Sequence, residues 1–445
     1  MNIVIIGAGE VGESIAADLA ADHEVTVIET RSERAEELAY EYNVLTITGD
    51  GTDPATLDQA NIVEAEMVIA STDDDETNIV ACSTVSALTE TFTIARIKDR
   101  KYLHTWKRAS RAFGIDDMVC TDLLAANSIV DVIGLPASVA VDSFANGSVQ
   151  MAEFEISQAG PVADKTVQAA DQYDSLTFAA IIRDGLVIIP TGTTLIEGGD
   201  RLVVIGSAES VRTFSNALSP GHSSDSTDEV AIVGGSEIGY NVARLLGERG
   251  FKPRLIEQDT DRAREIAEQL PRTTVMESDA TDIAFLEREH IGDADVVVSA
   301  VKSDETNLLV SLLSRRLGTD RTVAIIDTPS YVELFETVGV DVAINPRDVV
   351  AEEITRLTQT GGAENLALIE SDKAEVIEIE ITDSSVLANR PIRESTAELP
   401  DGVVIGAITR NRQFVTPRGD TEVYPGDHVV VFVDAEAIDE TTNKL

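Results

Sequence analysis

The chain has 445 residues, 43% of them hydrophobic but only 4% aromatic; that is room for about three domains, with cores packed by Val, Ile, Leu and Ala. Its 79 acidic and 34 basic residues leave a formal charge of −45, which excludes duplex nucleic acid as a partner, because a phosphate backbone is held by a basic face. No apolar run approaches the roughly 18 residues of a membrane span, and two cysteines, Cys82 and Cys120, exclude a disulfide framework and a Cys-based metal site.

So strong a charge would suit disorder or an acidic tail. Here the acids are dispersed and periodic apolar runs lie between them, which indicates a folded protein with an acidic, hydrated surface. Arginine outnumbers lysine, and the composition looks like adaptation to high salt, where self-repulsion is screened. No signal peptide precedes the first strand, which starts at Asn2, so the expected compartment is the cytoplasm.

In chain order, Asn2–Ile6 reads as a strand and runs into Gly7-Ala8-Gly9-Glu10-Val11-Gly12, a G-x-G-x-x-G. That pattern is weak alone. Here it ends a strand and opens a helix, with Val11, Ile15 and Leu19 at helical spacing. Glu29 follows 22 residues after the first glycine, at the end of the strand Glu24–Glu29, as a dinucleotide fingerprint requires. Gly7 permits the tight turn, Gly9 the approach of backbone to a pyrophosphate, and Gly12 close packing of helix on sheet. The helix N-terminus offers free N–H groups and a partial positive charge for phosphate. Glu29 can accept hydrogen bonds from both ribose hydroxyls and would repel a 2′-phosphate, so NADP is disfavoured.

The next strands, Val44–Thr48 and Met67–Ser71, lead to Asp50 and Thr52 and to Ser71, Thr72 and Asp73. These are carboxyl ends of strands, where such sheets bind ligands; turn chemistry is the other reading. The strand Ile94-Ala95-Arg96-Ile97-Lys98 ends on two cations that either meet a phosphate or are surface charges. Arg96, Lys98, Arg100, Lys101, Lys107, Arg108 and Arg111, with Trp106 among them, form a basic stretch. It is either a solvated helix face or a contact surface for an acidic neighbouring subunit.

Strand–helix alternation over this region predicts a parallel doubly wound sheet. A helical connector near Asp122–Ile133 precedes a small domain with strand runs at Met151–Ile156, Phe178–Arg183 and Arg201–Ile205. The plan then repeats. Gly7 and Gly12 recur as Gly234 and Gly239, Glu29 as Glu257, and Asp75-Glu76-Thr77-Asn78 as Asp304-Glu305-Thr306-Asn307. Arg183, Pro190, Gly192, Gly199 and Asp200 recur as Arg410, Pro417, Gly419, Gly426 and Asp427. So ordered a set of matches indicates duplication.

The expected fold is therefore α/β, with two tandem Rossmann-like doubly wound domains, each followed by a small α+β domain. The expected boundaries are 1–121, a connecting helix 122–137, a small domain 138–218 and a Pro/Gly/Ser/Asp-rich linker 219–228. The second half comprises 229–346, a connecting helix 347–364 and a small domain 365–445.

The second glycine loop, Gly234-Gly235-Ser236-Glu237-Ile238-Gly239, has Ser236 where the close-approach glycine belongs. Ile325 and Asp327 stand at the places of Arg96 and Lys98. This copy is expected to bind nucleotide weakly or not at all. The five histidines, His23, His104, His222, His290 and His428, are scattered without metal-ligand spacing. No nucleophile elbow, Walker loop or acid/base constellation accompanies the glycine loops, so the expectation is a binding protein and not an enzyme. An NAD-dependent dehydrogenase, which would need a general acid/base near the nicotinamide, is an alternative.

Over its full length the chain resembles the TrkA family, peripheral regulatory subunits of Trk-type potassium uptake built from RCK domains (regulators of potassium conductance). The resemblance rests on the opening MNIVIIGAGEVG, the Asp-Glu-Thr-Asn runs at 75–78 and 304–307, Ile-Ala-Arg-Ile at 94–97, and the Gly-Asp pairs at 199–200 and 426–427. It implies an NAD or adenine-nucleotide site made by Gly7 to Val11, Glu29, Thr72, Asp73 and Arg96, and a second at Gly234 to Ile238 and Glu257. Some related domains carry a basic residue inside the first loop for a terminal phosphate; Glu10 stands there, which favours NAD, NADH or ADP over ATP. It further implies a homo-oligomeric ring, peripheral at the inner face of the cell membrane, under a TrkH-like potassium-translocating protein. Nucleotide would shift the ring by binding one conformation better than another. A potassium channel or cation/proton antiporter is the alternative partner.

If the acidic surface is an adaptation to salt, the melting temperature should rise steeply between low and molar KCl in a thermal scan; an unchanged value would reject that reading.

Overall fold

Val- and Ile-rich runs that alternate with amphipathic helices suit inner strands of a parallel sheet covered on both faces, and a computed structural model shows that arrangement twice. It describes residues 1–20, 23–109, 113–135, 137–158, 160–183, 185–218, 229–358, 363–369, 374–400, 402–411 and 413–445. The expected linker 219–228 and Arg111 lie outside the described residues.

The first Rossmann part comprises β1 (Asn2–Ile6), α1 (Glu10–Leu19), β2 (Glu24–Glu29), α2 (Ser32–Glu41), β3 (Leu45–Thr48), α3 (Pro54–Gln59), β4 (Met67–Ala70), α4 (Asp75–Leu88), β5 (Phe92–Ile97), α5 (Arg100–Arg108) and β6 (Asp117–Cys120). The connecting helix α6 (Thr121–Gly134) follows. The parallel sheet runs β3-β2-β1-β4-β5-β6, so the order reverses beside β1 and places the carboxyl ends of β1, β2 and β4 around one crevice. Aspartates serve as N-caps here: Asp53, Asp74 and Asp99 accept from Ala55, Thr77 and Lys101 N–H groups. An acidic chain thus places part of its charge where helix dipoles favour it.

The first small domain holds β7 (Ser138–Phe144), β8 (Val149–Glu155), α7 (Val167–Ala170), β9 (Leu176–Arg183), β10 (Leu186–Ile188), β11 (Arg201–Ser207) and α8 (Ala208–Leu218), its antiparallel sheet running β10-β9-β11-β8-β7. The second Rossmann part has β12 (Val230–Val233), α9 (Glu237–Glu248), β13 (Arg254–Glu257), α10 (Thr260–Gln269), β14 (Thr274–Glu277), α11 (Ile283–Arg288), β15 (Val296–Ser299), α12 (Asp304–Leu317), β16 (Arg321–Ile325), α13 (Val332–Val338) and β17 (Val342–Ile344). Its sheet order, β14-β13-β12-β15-β16-β17, repeats that of the first. After the connecting helix α14 (Pro346–Thr358) come β18 (Ala363–Ile369), β19 (Ala374–Glu380), β20 (Arg390–Pro391), α15 (Ile392–Ser395), β21 (Val403–Arg410), β22 (Gln413–Val415), β23 (Glu422–Val423), β24 (His428–Asp434) and α16 (Ile438–Lys444). The sheet β18-β19-β24-β21-β22 copies the first small domain strand for strand.

The repeated Gly-Asp pairs have a structural cause. Asp200, almost fully buried, takes a two-pronged bond from Arg183 (Nε 2.7 Å, Nη2 2.8 Å). Asp427 takes the same from Arg410 (2.8 and 2.7 Å). Gly199 and Gly426 before them have φ of +94° and +85°, which a side chain would strain.

Compact units cut across the repeat. Residues 1–130 and 228–358 form one, and 131–227 and 359–445 the other. In the first unit, α14 of the second half lies along α1. Val350, Ala351 and Ile354, at most 2% exposed, complete the core of the first sheet with Ile3, Ile5, Val11 and Ile15. In the second unit, Val376 and Phe432 share a core with Phe144, Met151 and Ile205. There Thr177 donates to the Gly406 carbonyl (3.0 Å).

Ile354→Ala should cost about 2–5 kcal/mol in denaturant unfolding at high KCl. Hydrogen exchange should quicken in β1 and α1, far away in sequence; quickening confined to the second half would contradict the shared core.

Candidate functional site

The first glycine loop is closed by its own chain. Gly7, at φ +101°, turns the backbone so that its N–H reaches the Ile28 carbonyl (2.8 Å). A Cβ on Gly12 would stand 1.9 Å from the Gly7 oxygen, so this glycine is needed for helix packing whatever binds. Gly9 differs: a Cβ there would meet only Asp73 Oδ2, at 3.9 Å. Its lack of a side chain serves nothing inside the protein and keeps the space outside the loop open. Gly9 also occupies the N-cap of α1, where no side chain caps the helix, so the first turn is left to an external acceptor.

Glu29, only 6% exposed, ends β2 under this loop. Its Oε2 accepts from Ala8 N (2.8 Å); its Oε1 accepts from Arg31 N (2.9 Å), Arg31 Nε (3.2 Å) and Thr30 Oγ1 (3.1 Å). Burial works to raise its pKa, but the hydrogen bonds from Arg31, Ala8 and Thr30 outweigh it and hold the carboxyl below its ordinary value. It is therefore an ionised acceptor beside the loop.

The other expected residues divide. Thr72 and Asp73 stand at the carboxyl end of β4, and Arg96, 5% exposed, reaches in from β5. Arg96 donates to Thr121 Oγ1 (3.1 Å) and the Thr72 carbonyl (3.3 Å), and lies 3.7 Å from Asp73. Lys98 pairs with Asp73 at 3.0 Å, and that bond chiefly pulls the Asp73 carboxyl down. Asp50 faces solvent and bonds Thr52 N (2.9 Å) and Oγ1 (2.8 Å), the pattern of a local turn. Ser71 sits beneath the loop, its hydroxyl 2.8 Å from where a Gly12 Cβ would be. In the basic stretch, α5 exposes Lys101, Lys107 and Arg108, while Trp106 donates to the Ile115 carbonyl (2.9 Å).

Residues not foreseen as site builders hold these loops in place. Asn78, fully buried, donates to the Thr72 (2.9 Å) and Arg96 (2.8 Å) carbonyls and accepts from Thr72 N and Oγ1. Asp75 accepts from Lys98 N and Asp99 N, both at 2.8 Å. Asn307 and Asp304 make the corresponding bonds in the second copy. The repeated Asp-Glu-Thr-Asn run thus ties together the ends of two neighbouring strands. Arg34 donates to the Ala8 carbonyl (3.2 Å), as Arg262 does to Gly235 (2.8 Å); their matching places in the two copies were the available signal.

In the second loop Gly234 turns at φ +106°, and Glu257 accepts from Gly235 N (2.6 Å) and Asp259 N (2.7 Å). Ser236 changes the chemistry. Its hydroxyl accepts from Gly239 N (3.2 Å) and donates to the Ala300 carbonyl (2.7 Å), so the helix start that is uncapped in the first copy is capped here. Glu237 and Ile238 line the same cavity of about 930 Å³, with Asp327 and Asp122. Burial first, then Glu237, pushes the Asp122 carboxyl up to about 6. Burial likewise raises Asp327. The first loop leaves its helix start open to an external acceptor; the second fills that place with Ser236, and its cavity holds the acids Glu237, Asp122 and Asp327 beside the cations Arg262 and Lys302.

TrkA-N domains match residues 3–121 and 230–346, and TrkA-C domains match 151–219 and 376–445. The chain is 35% identical to Trk system potassium uptake protein TrkA homolog 1 of Methanosarcina mazei and 33% identical to a TrkA homolog of Archaeoglobus fulgidus, covering 99% of each chain in both cases. The fold is shared with the GsuK RCK domain (TM-score 0.62, 20% identity, 99% of this chain and 95% of that one). It is also shared with a GsuK channel bound to NAD (0.62, 21%, 100% and 78%).

Asp122 gives a pH test. Its folded pKa lies above the ordinary carboxyl value, so its favourable contribution is complete below about pH 4 and lost as pH rises through 6. Asp122→Asn should therefore be more stable than wild type at pH 8, by on the order of 2 kcal/mol, and equal to it near pH 4. Equal stability at both values would contradict the buried, repelled carboxylate.

Proposed function

Since the chain belongs to the TrkA family and serves potassium transport in a regulatory role, we propose that it binds NAD, NADH or an adenine nucleotide in its first half and thereby controls potassium uptake through a TrkH-like membrane protein. The observation that carries this reading is the first glycine loop, uncapped and open at Gly9, beside the ionised Glu29. The diphosphate would lie over Gly9, Glu10 and Val11, and a ribose would exchange hydrogen bonds with Glu29. Arg96 and Lys98 would balance charge. The NAD bound by the GsuK channel belongs to that protein and supplies the ligand class to test.

Regulation requires only that the nucleotide prefer one conformation; about a fourfold preference supplies roughly 0.8 kcal/mol per site, and sites in a ring add. Assembly of copies into such a ring is supported by apolar side chains left in solvent: Val80 and Leu88 on α4, Leu309 and Leu312 on α12, Leu334 and Val338 on α13. The cations of α5 suit contact with an acidic neighbouring copy. Among the described residues no helix is long and apolar enough to cross a membrane; the proposed place of the subunit is peripheral, at the cytoplasmic face. The GsuK likeness also favours a second reading, in which the partner is a potassium channel.

Calorimetry at high KCl with NAD, NADH, ADP and ATP should show tight binding of at least one, without turnover. Glu29→Ala and Gly9→Ser should each weaken it at least tenfold. Gly9→Ser is the cleaner variant, because the protein has room for that Cβ. Wild type that binds none of the four would remove the nucleotide from this proposal.

A further inference from the structure

The second residue of each connecting helix lies at the glycine loop of the other half. Asp122 of α6 lines the second cavity and is raised by Glu237 of the second loop. Arg347 of α14 forms an ion pair with Glu10 of the first loop and also donates to the Asp327 carbonyl. It acts electrostatically on Asp73 and Arg96 at the same mouth. One loop therefore receives a cation from its partner half and the other an anion.

We infer that Arg347 is a phosphate ligand of the first site, supplied by the second half and held by Glu10 until a nucleotide displaces it. The inference rests on the nucleotide reading and deepens it. At the mouth, Glu10, Asp73, Asp122 and Asp327 lie among Arg96, Lys98 and Arg347, so no cation is in excess before a ligand arrives. A diphosphate adds negative charge, and Glu10 is the group that can leave at least cost: its side chain is 61% exposed, while that of Arg347 is 27% exposed and anchored at Asp327. A guanidinium freed in this way presents a fork of donors suited to phosphate oxygens. Occupancy would then pull on α14, whose apolar face is seated in the first core and whose chain continues into the second small domain.

The test compares ADP, NADH and adenosine by calorimetry on the full chain. Arg347→Ala should weaken ADP about tenfold to a hundredfold and leave adenosine, which lacks phosphate, unchanged. NADH weakened alongside ADP would place Arg347 on the pyrophosphate; ADP weakened alone would place it on a terminal phosphate. Glu10→Gln should tighten ADP several-fold in wild type and not in the Arg347→Ala background, and Arg347→Gln serves if the alanine variant fails to fold. Wild type that binds ADP with Arg347 variants within twofold of it would overturn the inference and leave the nucleotide reading intact. Wild type that binds no nucleotide would overturn both.

Discussion

Val350, Ala351 and Ile354 form an apolar face that packs against the other half of the chain. Their burial among Ile3, Ile5, Val11 and Ile15 fixes the first unit, because a helix anchored in a foreign core must carry its first turn to that core's edge. The glycine loop lies at that edge. Arg347 is therefore beside Glu10 through the hydrophobic effect acting a turn away, and its charge is placed by packing.

The two sites diverge through single residues on a common backbone. Both loops turn on a positive-φ glycine, and both carboxylates, Glu29 and Glu257, hold the backbone N–H after that turn. Ser236 then caps its helix where Gly9 leaves one open, and Asp327 replaces Lys98. The framework that shapes the crevice is kept in both copies, whereas the uncapped helix start is kept in one.

Much of this was legible in the sequence because it is local. The glycine loops, the acids ending β2 and β13, the strand runs and the duplication rest on spacing within a few dozen residues. Asp50 and Ser71, candidates by their place after β3 and β4, take part in a local turn and lie beneath the loop, respectively. The Asp-Glu-Thr-Asn run stands out as a repeat and as a mark of resemblance, and neither states what it holds. Its purpose involves Lys98, Asp99 and the Arg96 carbonyl, which come together only once β4 and β5 pair. The exchange of α14 was illegible, since an apolar stripe on a helix states that it is buried and not against what.

The shared core of the small domains has a consequence for descent. Phe144 and Met151 lie with Val376 and Phe432 in one interior, and Gly406 is pressed so near Ile205 that a Cβ would come within 2.5 Å of it. Copies fused in this way no longer have separate fates. A stop codon or gene fission between them would leave each fragment with bare apolar faces. A change at one glycine loop, such as Ser236 for glycine, carries no such penalty, and the second copy remains indispensable to the first whatever its loop holds.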